Sequence, residues 1–229
     1  MGAYLLEWLS LFFRWFHVIA GVAWIGASFY FVWLDLSLRK PPQWKTDKGI
    51  SGDLWAVHGG GFYEIAKYKL EPEEMPKTLH WFKWEAYFTW ISGFSLMIII
   101  YYWGAESFLI DKEVMDINVW QAVAISLGAF VLSWFIYNGI CKSKLGKNDL
   151  FLSIIVFLMI LLASYGFTHV YSGRGAFVHV GAMIGTIMVA NVFFIIIPNQ
   201  KIIIKALVDG EEPAQFLGDE GKQRSTHNN

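Results

Sequence analysis

Residues 14–35, RWFHVIAGVAWIGASFYFVWLD, form an apolar run long enough to cross a bilayer, with Arg14 and His17 set into its first turn. A membrane-spanning helix needs about 20 mostly apolar residues, and this stretch meets that length with no proline to interrupt it. Four further runs have the same character, so helices are expected at about 10–36, 82–103, 118–140, 150–168 and 176–197. The predicted fold is all-α, a polytopic membrane helix bundle with about five transmembrane helices. Between the first two runs, residues 39–79 are polar and rich in Pro, Gly and Lys. They are read as a partly structured extramembrane loop.

Composition points the same way. Of 229 residues, 55% are hydrophobic, 18% aromatic and only 16% charged, with 12 tryptophans, and the mean hydropathy is +0.42. That is too apolar and too aromatic for an ordinary soluble domain. A formal net charge of −1 gives no footing for a nucleic-acid partner, and the charges sit in the gaps between apolar blocks, as a bilayer imposes. The single cysteine, Cys141, cannot form an internal disulfide, and the chain has neither a CxxCH haem-attachment motif nor paired cysteines for zinc. The N-terminus lacks the basic region and small-residue cleavage site of a signal peptide, so the first run is expected to stay in the mature protein.

Lysine and arginine placement gives the orientation. The segment after the first helix carries Arg39, Lys40, Lys45, Lys48, Lys67, Lys69 and Lys77, that after the third Lys142, Lys144 and Lys147, and the tail Lys201, Lys205, Lys222 and Arg224. These regions are expected to be cytoplasmic. The acidic segment AESFLIDKEVMDIN and the short THVYSGRG then face outward, with the N-terminus outside and the C-terminus inside.

On that topology the intramembrane polar residues fall into two groups. Arg14, His17, His169, Arg174 and His179 collect near the outer side, and His58, Glu64, His80, Lys83 and Glu85 near the cytoplasmic side. Histidines from three helices at one depth suit axial haem ligation or a metal site, so His17, His169 and His179 are the candidate ligands of a b-type haem or metal. Arg14 and Arg174 are candidates for binding the same cofactor through its propionates, or a planar anion. The bland reading is that Arg14 snorkels to the headgroups and each histidine caps a helix end or bonds a carbonyl. Gly181 and Gly185, four apart beside His179, suit close helix approach.

In the inner group, Glu85 shares a helix face with Thr89 and Ser92, with His80 just outside. A carboxylate one turn into the membrane favours a proton or ligand role, against the alternative of a salt bridge to Lys83. The stretch HGGGFYE, 58–64, places a histidine before three glycines whose amides could approach an anion or ring. The alternative is a flexible turn leading into a short amphipathic helix. Glu85, His80 and His58 are the candidate catalytic residues. A short internal repeat is also expected, pairing His17-Val18-Ile19-Ala20 with His179-Val180-Gly181-Ala182 and Lys77-Thr78-Leu79-His80 with Arg224-Ser225-Thr226-His227.

The stretches RWFHVIAGVAWIGASFYFVWLDLSLR, WAVHGGGFYEIAKYKL, LHWFKWEAYFTWISGFSL and IIPNQ…KQRSTHNN resemble the N-terminal membrane domain of the bacterial, cytochrome-c-linked urate oxidases, along essentially the whole chain. The resemblance implies a multi-pass protein of the bacterial inner membrane that oxidises urate in purine catabolism and passes the electrons to a c-type cytochrome and the respiratory chain. It also implies about eight helices and a periplasmic cytochrome domain, so the chain is expected to stop before a sixth helix, with any c-type haem in a missing C-terminal domain or a partner. Two other classes stay open from the residues: a non-catalytic electron-transfer subunit binding haem and quinone, and a transporter of a purine or ion.

Overall fold

The computed structural model describes residues 2–229, apart from the side chain of Ala3. The first helix, α1, runs from Gly2 to Ser37. At 1.5 Å per residue it is about 54 Å long, well beyond the roughly 30 Å of a bilayer core. It starts eight residues before the expected position because AYLLEWLSL contains good helix formers and no Gly or Pro.

The extramembrane stretch that follows contains the one departure from all-α architecture among the described residues. Strands β1 (Ile50–His58) and β2 (Gly61–Tyr68) pair antiparallel with His58 opposite Gly61. Gly59 and Gly60 close the turn at φ +58° and +79°, the left-handed pair a two-residue hairpin requires. The glycine run therefore reverses a strand; it does not lead into an amphipathic helix. A single helical turn, Gln43–Thr46, is fastened to this hairpin by Lys45, which is 3% exposed. Its Nζ donates to Asp53 Oδ1 at 2.6 Å and also to Glu64. The hydrogen bonds to Asp53 and Glu64 raise the Lys45 pKa above the ordinary lysine value.

Helix α2 is α-helical over Trp84–Leu96 and continues as a π-helical segment, Met97–Tyr102. After it come α3 (Val119–Lys142), α4 (Asp149–Thr168), α5 (Gly173–Val208) and α6 (Gln215–Asn228). Asn118, Asn148 and Ser172 each accept a backbone N–H from the first turn of α3, α4 and α5, which fixes where these three helices begin. Helix α5 passes through Pro198 without stopping. The turn before it, Val192–Ile196, is π-helical, which widens the coil where the proline ring would otherwise press on the preceding carbonyls.

Four of these helices, α1, α3, α4 and α5, are long and apolar enough to cross a membrane among the described residues. The fifth apolar run is α2, packed along α1. The arrangement is that of an all-α membrane protein. One core cluster, with Met97, Phe130, Leu152, Phe167 and Met183, binds α2 through α5 together. A smaller one, Ala86, Val189, Val192 and Ile197 with Trp24 and Trp90 against it, holds α1 and α2 to α5 and leaves space above and below.

Candidate functional site

Those spaces are two cavities along the groove between α1, α2 and α5, with Trp24 in the wall of both. The first lies at the hairpin end of the bundle and has a volume of about 340 Å³. Its polar lining comes from four helices, the residues just before α2 and the residue after α6: Ser28, His80, Glu85, Gln200, Ser225, Asn228 and Asn229. Glu85 stands in the first turn of α2, where a negative charge is favoured by the helix dipole. Its Oε2 is buried with no hydrogen-bond partner among the described residues. Lys83 does not neutralise it, because the Lys83 ammonium lies over the Trp84 ring at 5.4 Å. A buried carboxylate oxygen without a partner is costly unless a ligand or proton satisfies it. His80 is exposed at the mouth of the cavity, its ring edge-on to Phe82 at 4.6 Å.

The far wall of this cavity is held by a polar cluster at the start of α5's π segment. Arg224 of α6 is fully buried, donates from Nη2 to Asn138 Oδ1 at 2.9 Å and lies over the Tyr137 ring at 5.2 Å. Asn191 Nδ2 donates to the Tyr137 oxygen at 3.1 Å, and the same hydroxyl shares a hydrogen bond with His227 Nδ1 at 2.7 Å. Asn228 donates to the Met188 carbonyl at 3.0 Å and accepts from Asn191 at 3.1 Å. This network docks α6 against α3 and α5 and brings Ser225 and Asn228 to face Glu85. Burial, and the nearby Arg224 charge, push the His227 pKa below the ordinary histidine value.

The second cavity, about 460 Å³, lies farther along the same groove. His17 lines it, with Thr89, Trp90, Gly93, Gly181 and Thr186 among the other walls. The His17 Nδ1 lies 3.0 Å from both the Thr89 carbonyl and Ser92 Oγ. A carbonyl only accepts, so Nδ1 carries the proton and the lone pair of the neutral ring is on Nε2. Gly93 makes this placement possible, since a Cβ there would lie 2.8 Å from His17 Cε1. Gly181 and Gly185 play no such part: a Cβ at either meets nothing within 4 Å. They leave space where close helix approach was expected.

The expected outer cluster is dispersed. His179 is fully buried, with Nδ1 donating to the Gly175 carbonyl at 2.7 Å and Nε2 accepting from Ser126 Oγ at 2.8 Å. Tyr102 stands 2.7 Å behind Ser126, and Tyr171, Phe130 and Phe167 enclose the ring. His169 is exposed and bonds the Tyr165 carbonyl at 2.8 Å. Arg14 is exposed on α1, and Arg174 lies over Phe108 at 4.9 Å with Nε donating to Tyr101 at 3.2 Å. The three histidines do not meet, because α1 turns His17 toward α2 whereas α5 turns His179 into α3 and α4. No group of three or more His, Cys, Asp or Glu stands ready to hold a metal ion among the described residues. Nor do these histidines fit a haem they would share, since the Nε2 of His179 is already bonded. On the other side, His58 is exposed at the hairpin tip and Glu64 belongs to the Lys45 cluster, so only His80 and Glu85 of that group line one cavity. The Lys77–His80 stretch is irregular whereas Arg224–His227 is helical, so the second pair of the expected repeat is not structurally equivalent.

Sequence reasoning missed Trp24, Ser28, Gln200, Ser225 and Asn228. The available signal was the run of amides Asn191, Asn199 and Gln200 inside an apolar helix, where polar groups face the interior or a cavity. A family model described as urate oxidase N-terminal matches residues 3–229. No match was found among curated proteins or solved structures.

Proposed function

The chain belongs to the urate oxidase N-terminal family, and on that premise we propose that it is the substrate-binding membrane domain of an oxidoreductase that oxidises urate. The observation that carries this reading is the Glu85 cavity. Its volume lies in the range of small-molecule sites, and its polar lining has both acceptors and donors. Urate is a flat ring system with alternating N–H and carbonyl groups, so hydrogen bonds along its edges can carry recognition in a cavity lined by no Lys or Arg. Glu85 Oε2 suits a ring N–H, and the amides of Gln200 and Asn228 suit the N–H and C=O edges on either side. As two electrons leave the purine its N–H groups become more acidic, and a carboxylate in contact takes the proton. His80 at the mouth relays that proton to solvent. The electrons pass on to a c-type cytochrome and the respiratory chain, with the c-type haem in another domain or partner and the whole in the bacterial inner membrane.

Equilibrium dialysis of labelled urate against the purified chain in nanodiscs tests the binding step. Saturable binding is expected, weakened about tenfold or more in Glu85→Gln, where a charge-assisted hydrogen bond is lost. Absence of saturable binding, or equal binding by Glu85→Gln, would sink the assignment.

A further inference from the structure

The His17 cavity is chemically unlike the Glu85 site. No Lys, Arg, Asp or Glu lines it, so a ligand with charged groups would find no counter-ion in its walls. Its flat faces come from the stacked pair Trp90 and Phe94, 5.0 Å apart and 6° from parallel, and from glycines that place no side chain in the space. Trp90 Nε1 donates to Thr186, and Thr186 donates to the Ala182 carbonyl, so both polar walls already use their protons. Two hydrogen-bonding positions are left: the Nε2 lone pair of His17, held in place by the Nδ1–H bond to Thr89, and the hydroxyl proton of Tyr101, whose oxygen accepts from Arg174 Nε. Gly181, in this wall, is exposed about 12 Å along α5 from its start, so the cavity opens sideways at a depth where hydrocarbon surrounds the helix.

The ligand these walls select is neutral, flat, largely apolar and able to give one O–H to an acceptor. We propose that the cavity binds a membrane quinone, whose reduced form donates a hydroxyl to His17 Nε2. A haem fits less well, because nothing charged lines the cavity to meet its propionates. The inference deepens the urate reading by naming the carrier that takes the electrons within the bilayer ahead of any c-type cytochrome, and only the source of the electrons rests on that reading. The overall step balances as urate plus water plus quinone giving 5-hydroxyisourate plus quinol. A C–O bond forms at the purine, urate is oxidised by two electrons, and both quinone oxygens gain a hydrogen. The two protons freed as water adds to the purine balance the two that the quinone takes up, and one quinol hydroxyl then donates to the Nε2 lone pair of His17. Trp24, shared by both cavities, is the only indole common to their walls.

The test is quenching of tryptophan fluorescence by menadiol, a reduced naphthoquinone kept under anaerobic conditions, titrated at fixed lipid into nanodiscs carrying wild type, His17→Ala, His17→Gln and Gly185→Leu. Saturable quenching is expected for wild type, weakened about tenfold in His17→Ala by loss of the acceptor. Gly185→Leu, whose side chain enters free space, is expected to lose it, and His17→Gln, which keeps an acceptor, to retain most of it and so report on folding. Quenching that rises linearly with menadiol and is equal in all four proteins would mean partition into lipid and overturn the site. A Soret band in wild type that vanishes in His17→Ala would also overturn it, by assigning His17 to haem. Because quinol binding is read directly, failure of urate to bind leaves this result standing.

Discussion

His17 and His179 begin almost the same four-residue string, lie on helices of similar composition, and each donates Nδ1–H to a backbone carbonyl. Their outward nitrogens differ completely. Ser126 occupies Nε2 of His179 inside a cage of aromatic rings, whereas Nε2 of His17 faces a cavity. The pair shows that a histidine at membrane depth is not defined by its depth. What separates a packing histidine from a ligand-binding one is whether its second nitrogen already has a partner.

The comparison can be broken most easily by stability. His179→Ala opens a void among Tyr171, Phe130 and Phe167 and removes the acceptor of the Ser126 hydroxyl; a loss of about 3–5 kcal/mol is expected. His17→Ala, at a half-buried position beside a cavity, is expected to cost about 1 kcal/mol. Thermal unfolding in one detergent measures both, and equal losses would end the distinction. The glycines sharpen it next. Gly93→Ala drives a methyl into His17 and is expected to cost about 1–3 kcal/mol, while Gly185→Ala meets nothing and is expected to stabilise by about 0.5–1 kcal/mol through lower chain entropy. Ser126→Ala removes the hydroxyl between Tyr102 and His179 and should cost about 1–3 kcal/mol, with His17-dependent quinone binding unchanged.

The smallest effect concerns pH. The folded-state pKa of His227 is held below its unfolded value, so the docked α6 gains stability above the unfolded pKa and loses it as pH falls through that window. Amide protection in α6, corrected for the intrinsic exchange rate, should therefore fall as pH drops below the ordinary histidine value of about 6.5, and His227→Gln should remove most of the change.

Much of the fold was legible in the chain, and the reason is physical. Apolar runs of bilayer length can do little other than form membrane helices, and each was found as a helix. The hairpin was missed because HGGGFYE offers glycines that serve a turn as readily as an anion loop, and only the pairing of Trp55 with Glu64 and Val57 with Phe62 decides between them. At the site, Glu85 and His80 were marked by the cost of placing polar groups in an apolar setting. Gln200 carried the same mark, as an amide in an apolar helix, but Ser225 and Asn228 did not, since they reach the cavity on a helix that follows a turn and is docked by the Arg224 network. Helix order along the chain gives depth but not rotation, so three histidines predicted at one level could still face three different ways.

The π-helical turn at Val192–Ile196 has a consequence for how α5 can change. A residue of α-helix advances the side chains by about 100°, and the widened turn absorbs one extra residue without breaking the helix. Everything downstream is thereby set in phase with α6: Asn199 donates to the Leu217 carbonyl at 3.2 Å and to Glu220 at 3.0 Å, and Gln200 reaches the Glu85 cavity. Deleting a single residue within this turn would restore an ordinary helix and leave both amides where they are, whereas a deletion in the α-helical part of α5 between His179 and the turn would rotate everything on one side of it by about 100° relative to the other. The widened turn, more than the identity of any side chain in it, is what lets α5 carry one residue more than an ordinary helix and keep the two halves of the groove in step.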